Sequence, residues 1–127
     1  MPAVALDTNA LMMPVELGVR VFDELDRLFG SVDPVTPAAV LAELDALATG
    51  GGQAATAASV GADLARDRCE IVETAADFAD DAVLELARIG RAAYIVTNDK
   101  PLRDRALAAG VPVVGVRGHN TLHVIEP

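Results

Sequence analysis

The chain has 127 residues, 52% of them hydrophobic, with ten Lys and Arg against nineteen Asp and Glu and a formal net charge of −9. That length fits a single domain spanning residues 1–127, the apolar fraction excludes a disordered chain, and a lone Cys excludes both an internal disulfide and a cysteine-rich zinc site. No uncharged apolar run of about 18 residues is present and Asp7 interrupts the N-terminal apolar stretch, so the expectation is a cytoplasmic protein with no membrane span and no signal peptide.

Ala3–Leu6 is a short apolar run that predicts a strand, with Asp7 placed to cap a following helix. Val21, Phe22, Leu25, Leu28 and Phe29 repeat at helical spacing before Gly30. Ser31–Thr36 is a weaker strand, interrupted by Pro34. Pro37 opens a helix over Ala38–Ala48, in which Val40, Leu41, Leu44, Leu47 and Ala48 form one face, and Gly50–Gly52 stops it. Ala54–Arg68 is Ala-rich and helical. Ile71–Val72 predicts a buried strand, with Cys69 in the core at its start. Phe78–Ile89 is a helix with Val83, Leu86 and Ala87 inward. Ala93–Thr97 is a strand, Pro101–Ala109 a helix closed by Gly110, and Val111–Val116 a further strand. Leu122–Ile125 adds an edge strand.

Apolar runs without polar alternation indicate strands covered on both faces. Their alternation with helices indicates an α/β protein with a parallel sheet. Phe22, Phe29 and Phe78 stand at core spacings, and Tyr94 before a strand has a structural place, so no aromatic platform for nucleic-acid bases is expected.

In an open parallel sheet, ligands bind beyond the carboxyl ends of the strands, where the strand order reverses. Two strands end in Asp7-Thr8-Asn9 and Thr97-Asn98-Asp99. Glu43 and the pair Asp80-Asp81 lie on helices that the topology brings close. Clustered carboxylates repel one another unless a cation compensates, and oxygen donors suit Mg²⁺ or Mn²⁺. Taken singly, Asp7, Asp99 and either Asp77 or Asp80 each read better as helix caps, and Glu43, beside the apolar arc next to Leu47, reads also as a boundary residue. His119 and His123 stand at i and i+4 without a third ligand. An Asp-x-Asp phosphatase signature is not met, because Asn9 occupies its second position.

Four segments in order carry a family resemblance: Val4-Ala5-Leu6-Asp7-Thr8-Asn9-Ala10-Leu11, Pro37-Ala38-Ala39-Val40-Leu41-Ala42-Glu43-Leu44, Ala79-Asp80-Asp81-Ala82-Val83-Leu84-Glu85-Leu86-Ala87 and Ile95-Val96-Thr97-Asn98-Asp99-Lys100-Pro101-Leu102-Arg103, followed by Gly110-Val111-Pro112-Val113-Val114. The sequence resembles the PIN-domain nucleases, a family that includes VapC toxins and ribosomal-RNA processing endonucleases. The resemblance implies a three-layer α/β/α sandwich around a mostly parallel sheet. It implies an endoribonuclease that hydrolyses phosphodiester bonds with metal-activated water. Carried over by position, the catalytic and metal-binding acids are Asp7, Glu43, Asp80 and Asp99, holding Mg²⁺ or Mn²⁺. Asp80 and Asp81 both fit the family spacing, and Asp80 aligns better. Asn9, Thr97 and Asp81 would orient the ligands. RNA is the implied substrate, with either an antitoxin partner or a standalone RNA-processing role, and a homodimer is the family habit. A PIN fold that scaffolds a complex or binds RNA without cleaving it is the alternative.

The charge is unevenly spread. Sixteen acids and four arginines precede Arg88, whereas six cations and three acids lie from Arg88 onward. The acidic total therefore does not exclude RNA. It predicts a cationic margin around Asp99, in which Lys100, Arg103 and Arg105 contact phosphates.

Overall fold

Strands and helices alternate through residues 1–127, all described by the structure, a computed structural model. β1 (Ala3–Leu6) leads into α1 (Thr8–Glu16) and α2 (Val21–Phe29), and β2 (Asp33–Pro37) into α3 (Ala38–Ala48) and α4 (Gly52–Arg68). β3 (Glu70–Val72) is followed by α5 (Ala79–Arg88), β4 (Tyr94–Val96) by α6 (Lys100–Ala108), and β5 (Val113–Arg117) turns back into β6 (Thr121–Ile125).

The six strands form one sheet in the order β3-β2-β1-β4-β5-β6. All neighbours pair in parallel except β5 with β6. The chain thus steps outward from β1 to β2 and β3, then crosses back over β1 to build β4 and β5. The strand order reverses between β1 and β4, which pair in the register Val4–Tyr94, Ala5–Ile95 and Leu6–Val96. Right-handed crossovers put α1 to α4 on one face of the sheet and α5 and α6 on the other. α5 lies across β2, β1 and β4, while α4 packs against both α1 and α3. This is the three-layer α/β/α sandwich that the sequence implies.

The central strands are sealed on both faces. Val4, Ala5, Leu6, Ile95, Val96, Val113 and Val114 are fully buried, as their unalternated apolar runs require. The buried face of α4 has only small side chains and packs by close approach. That face is Ala55, Ala57, Ala58, Gly61, Ala62 and Ala65, and a Cβ on Gly61 would stand 2.8 Å from the Leu11 carbonyl oxygen of α1.

Several expectations are corrected. Ile71 is 37% exposed, because β3 is an edge strand paired only with β2. Cys69 caps α4 and is only partly buried, although its surroundings push the thiol up to about 12. Leu47 is 43% exposed, since the inward face of α3 is carried by Val40 and Leu44. Phe78 is 77% exposed and precedes α5 as its N-cap, so it is not a packing residue. Tyr94 belongs to β4 and packs on Phe29 with ring centroids 4.7 Å apart. Pro34 is tolerated in β2 because β3 begins only opposite Val35, leaving Pro34 flanked by β1 alone.

Candidate active site

The reversal point between β1 and β4 opens into a cleft of about 280 Å³ lined by Asp7, Thr8, Asn9, Met12, Glu16, Glu43, Asp80 and Asp99. The four acids carried over from the sequence therefore meet in one place, brought by four different segments. Asp7 stands at the carboxyl end of β1, Glu43 on α3, Asp80 in the first turn of α5 and Asp99 just after β4.

Asp7 is the most constrained. It is 3% exposed, and its Oδ1 accepts the Ala10 backbone N–H at 2.7 Å, so it also caps α1. Its Oδ2 accepts the hydroxyl of Thr97, which is itself fully buried. The Thr97 Oγ1 in turn accepts the Asp99 backbone N–H at 3.0 Å, so one hydroxyl joins the two carboxylate-bearing strand ends. Asp99 caps α6 by accepting the Leu102 N–H at 2.9 Å. Asn9 Oδ1 accepts the Asn98 backbone N–H at 2.8 Å. Capping and site formation are thus the same geometry, since helix N-caps at the sheet's carboxyl edge point their carboxylates at one cleft.

The electrostatics follow from crowding. Burial first, and then the Asp80 and Asp99 charges, raise the Asp7 carboxyl to about 7 against the lowering effect of its two hydrogen bonds. Asp80 is also raised, by desolvation and then by Asp99 and Glu43. No three His, Cys, Asp or Glu side chains are placed to grip one ion directly. The donor set is nonetheless all oxygen, and a small hard cation such as Mg²⁺ keeps several waters and takes only one or two carboxylates directly. The Thr8 hydroxyl is buried on the cleft wall without a hydrogen-bond partner. An all-oxygen cleft with an unsatisfied hydroxyl fits a hydrated divalent cation.

Asp80 and Asp81 separate clearly. Asp80 lines the cleft with Asp7 and Asp99, whereas Asp81 turns to Arg105 at 2.7 Å. Asp81 therefore stands outside the acid cleft, although its charge still acts on Asp80. Arg105 does not line the acid cleft either, but a neighbouring pocket bounded by Glu43, Phe78, Ala79, Asp80 and Asp81. Lys100 and Arg103 make only long contacts to Asp104, at 3.9 and 3.7 Å. The cationic margin is smaller than the sequence suggests. Arg91 bridges Asp33 and Glu70, the first residues of β2 and β3, at the opposite edge of the sheet. His123 pairs with Gly115 across β5 and β6, and no histidine joins an ion-holding group.

Two lining residues, Met12 and Glu16, escape the sequence reading. Thr8, Met12 and Glu16 line the cleft from one stripe of α1 at four-residue spacing. That periodicity, begun next to Asp7, is the signal that reveals them.

The sequence matches the family model described as PIN like domain over residues 4–119. No curated protein matches it. Among solved structures, the fold is similar to the PIN domain endonuclease Utp24, with TM-score 0.79, 24% identity, and 98% of this chain and 92% of that one covered. It is also similar to a domain of a functionally unknown protein from Methanocaldococcus jannaschii (TM-score 0.68, 14% identity, 93% of each chain). A third similar chain comes from VapBC2 of Rickettsia felis, solved bound to a DNA fragment from its promoter (TM-score 0.65, 16% identity, 91% of this chain and 99% of that one). With the family model spanning both strand ends and all four cleft acids, the chain belongs to the PIN-like domain family.

Proposed function

We propose that the chain is a divalent-metal-dependent endoribonuclease. The observation that carries this reading is the convergence of Asp7, Glu43, Asp80 and Asp99 on one cleft at the strand-order reversal. Asp7, Asp80 and Asp99, with Glu43, would hold Mg²⁺ or Mn²⁺, which when bound supplies a Lewis acid and lowers the pKa of water. The chain's own residues prepare the site. Thr97 and the Ala10 N–H fix both oxygens of Asp7, and the Leu102 N–H fixes one oxygen of Asp99. Asp80, more open to solvent, has no side-chain hydrogen bond and is free to meet a ligand. Lys100 and Arg103 begin α6 beside Asp99 and would meet the phosphates of an RNA strand.

Calorimetric titration with Mn²⁺ tests the reading. Heat of binding in the wild type that is lost in Asp80→Asn supports it. No heat in the wild type favours the non-catalytic scaffold or RNA-binding module.

The likeness to the endonuclease Utp24, over nearly the whole of both chains, supports endonuclease chemistry, and a standalone RNA-processing role is the reading that the sequence resemblance offers for it. The likeness to a chain of VapBC2 favours a second reading, a toxin held by an antitoxin. A small DNA-binding protein encoded beside this chain, and blocking its cleavage activity, decides for the toxin. A homodimer belongs to either role, and sedimentation analysis checks it.

A further inference from the structure

The acid cleft has a neighbour with a different character. Glu43 and Asp80 are shared by both, and from them a second pocket of about 310 Å³ extends outward, bounded by Phe78, Ala79, Asp81 and Arg105. Its volume lies at the small end of ligand pockets. Phe78 is 77% exposed at the edge of this pocket, has no aromatic partner, and contributes nothing to the core. Leaving a Phe in water forgoes the transfer free energy that burial supplies. Placed at the lip of a cleft that would cut a nucleic acid, the ring offers the flat apolar surface on which a base stacks.

We propose that this pocket is a base-binding subsite, in which the nucleobase next to the cleaved phosphate stacks on Phe78. The proposal rests on the nuclease reading above. The charges favour a base over a phosphate as the occupant. Glu43, Asp80 and Asp81 all face the pocket, and its one cation, Arg105, is already paired with Asp81 at 2.7 Å. With Glu43 and Asp80 committed to the cation of the acid cleft and Arg105 to Asp81, a phosphate entering here finds no free counter-charge, whereas a neutral base needs none. The Asp81–Arg105 pair is half exposed, and the guanidinium bonds only Asp81, leaving N–H donors for the edge of the base. The acid cleft thus takes the phosphate and the outer pocket the base attached beside it. This division also gives Asp81 a purpose that the acid cleft does not, since it fixes Arg105 as the far wall of the subsite.

The test uses a short RNA oligomer carrying a cleavage site mapped for the wild type, and the same oligomer with an abasic ribose on either side of the cleaved bond. Cleavage is measured in Mn²⁺ for the wild type, Phe78→Ala and Phe78→Tyr. Stacking of one base on an aromatic ring corresponds to roughly a ten- to hundredfold effect. The abasic oligomer is expected to lose that factor in kcat/KM with the wild type, at one of the two positions. Phe78→Ala is expected to lose the same factor on the intact oligomer and nothing further on the abasic one, while Phe78→Tyr stays near the wild type. Losses that multiply, or a Phe78→Ala variant that cleaves the intact oligomer like the wild type, overturn the subsite and leave the nuclease reading standing. A wild type that cleaves no RNA overturns the nuclease reading itself, and the subsite with it. An unchanged thermal melt of Phe78→Ala separates the effect from misfolding, since the ring is outside the core.

Discussion

The Asn98 backbone N–H donates to the side-chain oxygen of Asn9 at 2.8 Å, tying the loop after β4 to the first turn of α1 across the strand-order reversal. The bond sits one residue from Asp99 and two from Asp7, the two strand-end acids. It adds a second tie, beside the Thr97 hydroxyl, between the segments that carry these mutually repelling carboxylates. Asn9→Ala is expected to cost about 1 kcal/mol of stability, the ordinary worth of a partly exposed hydrogen bond. Its effect on RNA cleavage is expected to be larger than on the melting temperature, because the acids lose their register. Thermal melts and cleavage rates on the same preparation check this.

Asp7 gives the stability a definite pH dependence. Its carboxyl is raised from 3.8 to about 7 by burial, so between those values the folded chain holds a proton that the unfolded chain releases. The stabilisation from this group is complete below about pH 4 and is lost as the pH rises through about 7. At 1.36 kcal/mol per unit, the loss in chelating buffer is on the order of 4 kcal/mol. Asp7→Asn removes the buried charge and keeps an oxygen for the Ala10 N–H. In EDTA it is expected to flatten the melting temperature between pH 4 and 7.5 and to be more stable than the wild type at pH 7.5. A wild type whose stability rises across that window relative to Asp7→Asn contradicts the assignment.

The adjacent pair Asp80-Asp81 divides its labour. Asp80 lines the acid cleft and Asp81 pairs with Arg105. Asp80→Asn is therefore expected to lower kcat by a hundredfold or more, as loss of a group acting on the reacting centre does. Asp81→Asn is expected to act on substrate binding instead, through KM. Steady-state cleavage of a labelled RNA separates the two.

Gly61 lets α4 rest directly on α1. A Cβ there would stand 2.8 Å from the Leu11 carbonyl, which is backbone and has no rotamer to yield. Gly61→Val is expected to destabilise the chain by about 1–3 kcal/mol, as overpacking does, and chemical denaturation measures it.

The cations also part into two groups. Arg91 braces β2 and β3 through Asp33 and Glu70, far from the cleft, while Arg103 stands in the helix that Asp99 caps. Arg91→Ala is expected to lower stability by up to about 1 kcal/mol and to leave RNA affinity unchanged. Arg103→Ala is expected to leave the melt unchanged and to reduce the salt dependence of RNA binding.

Residues whose role is set by the backbone were readable from the sequence. Asp7 and Asp99 each end an apolar strand and cap the next helix, and that local pattern alone puts both at the carboxyl edge of the sheet. Topology brings Glu43 and Asp80 near that edge, but only the family resemblance marks them as ligands, because tertiary packing decides how α3 and α5 meet it. What could not be read was side-chain direction where two neighbours compete. Asp80 and Asp81 differ by about 100° on the helix, and the choice between them is made by Arg105, which pairs with Asp81 from 24 residues further along the chain. Phe78 has core spacing in the sequence, yet the N-cap backbone turns it outward. Arg91 falls in a basic stretch of sequence but lies before β4, at the amino edge of the sheet. Proximity along the chain is no guide to which edge of a parallel sheet a charge occupies.

The central claim is that the four cleft acids act together on RNA. The direct measurement is cleavage of tRNA and ribosomal RNA in Mn²⁺ by the wild type and by Asp7→Asn, prepared identically. The expected result is cleavage by the wild type that EDTA abolishes and that Asp7→Asn, though folded, has lost. Equal cleavage by the two proteins, or none by the wild type, contradicts the claim.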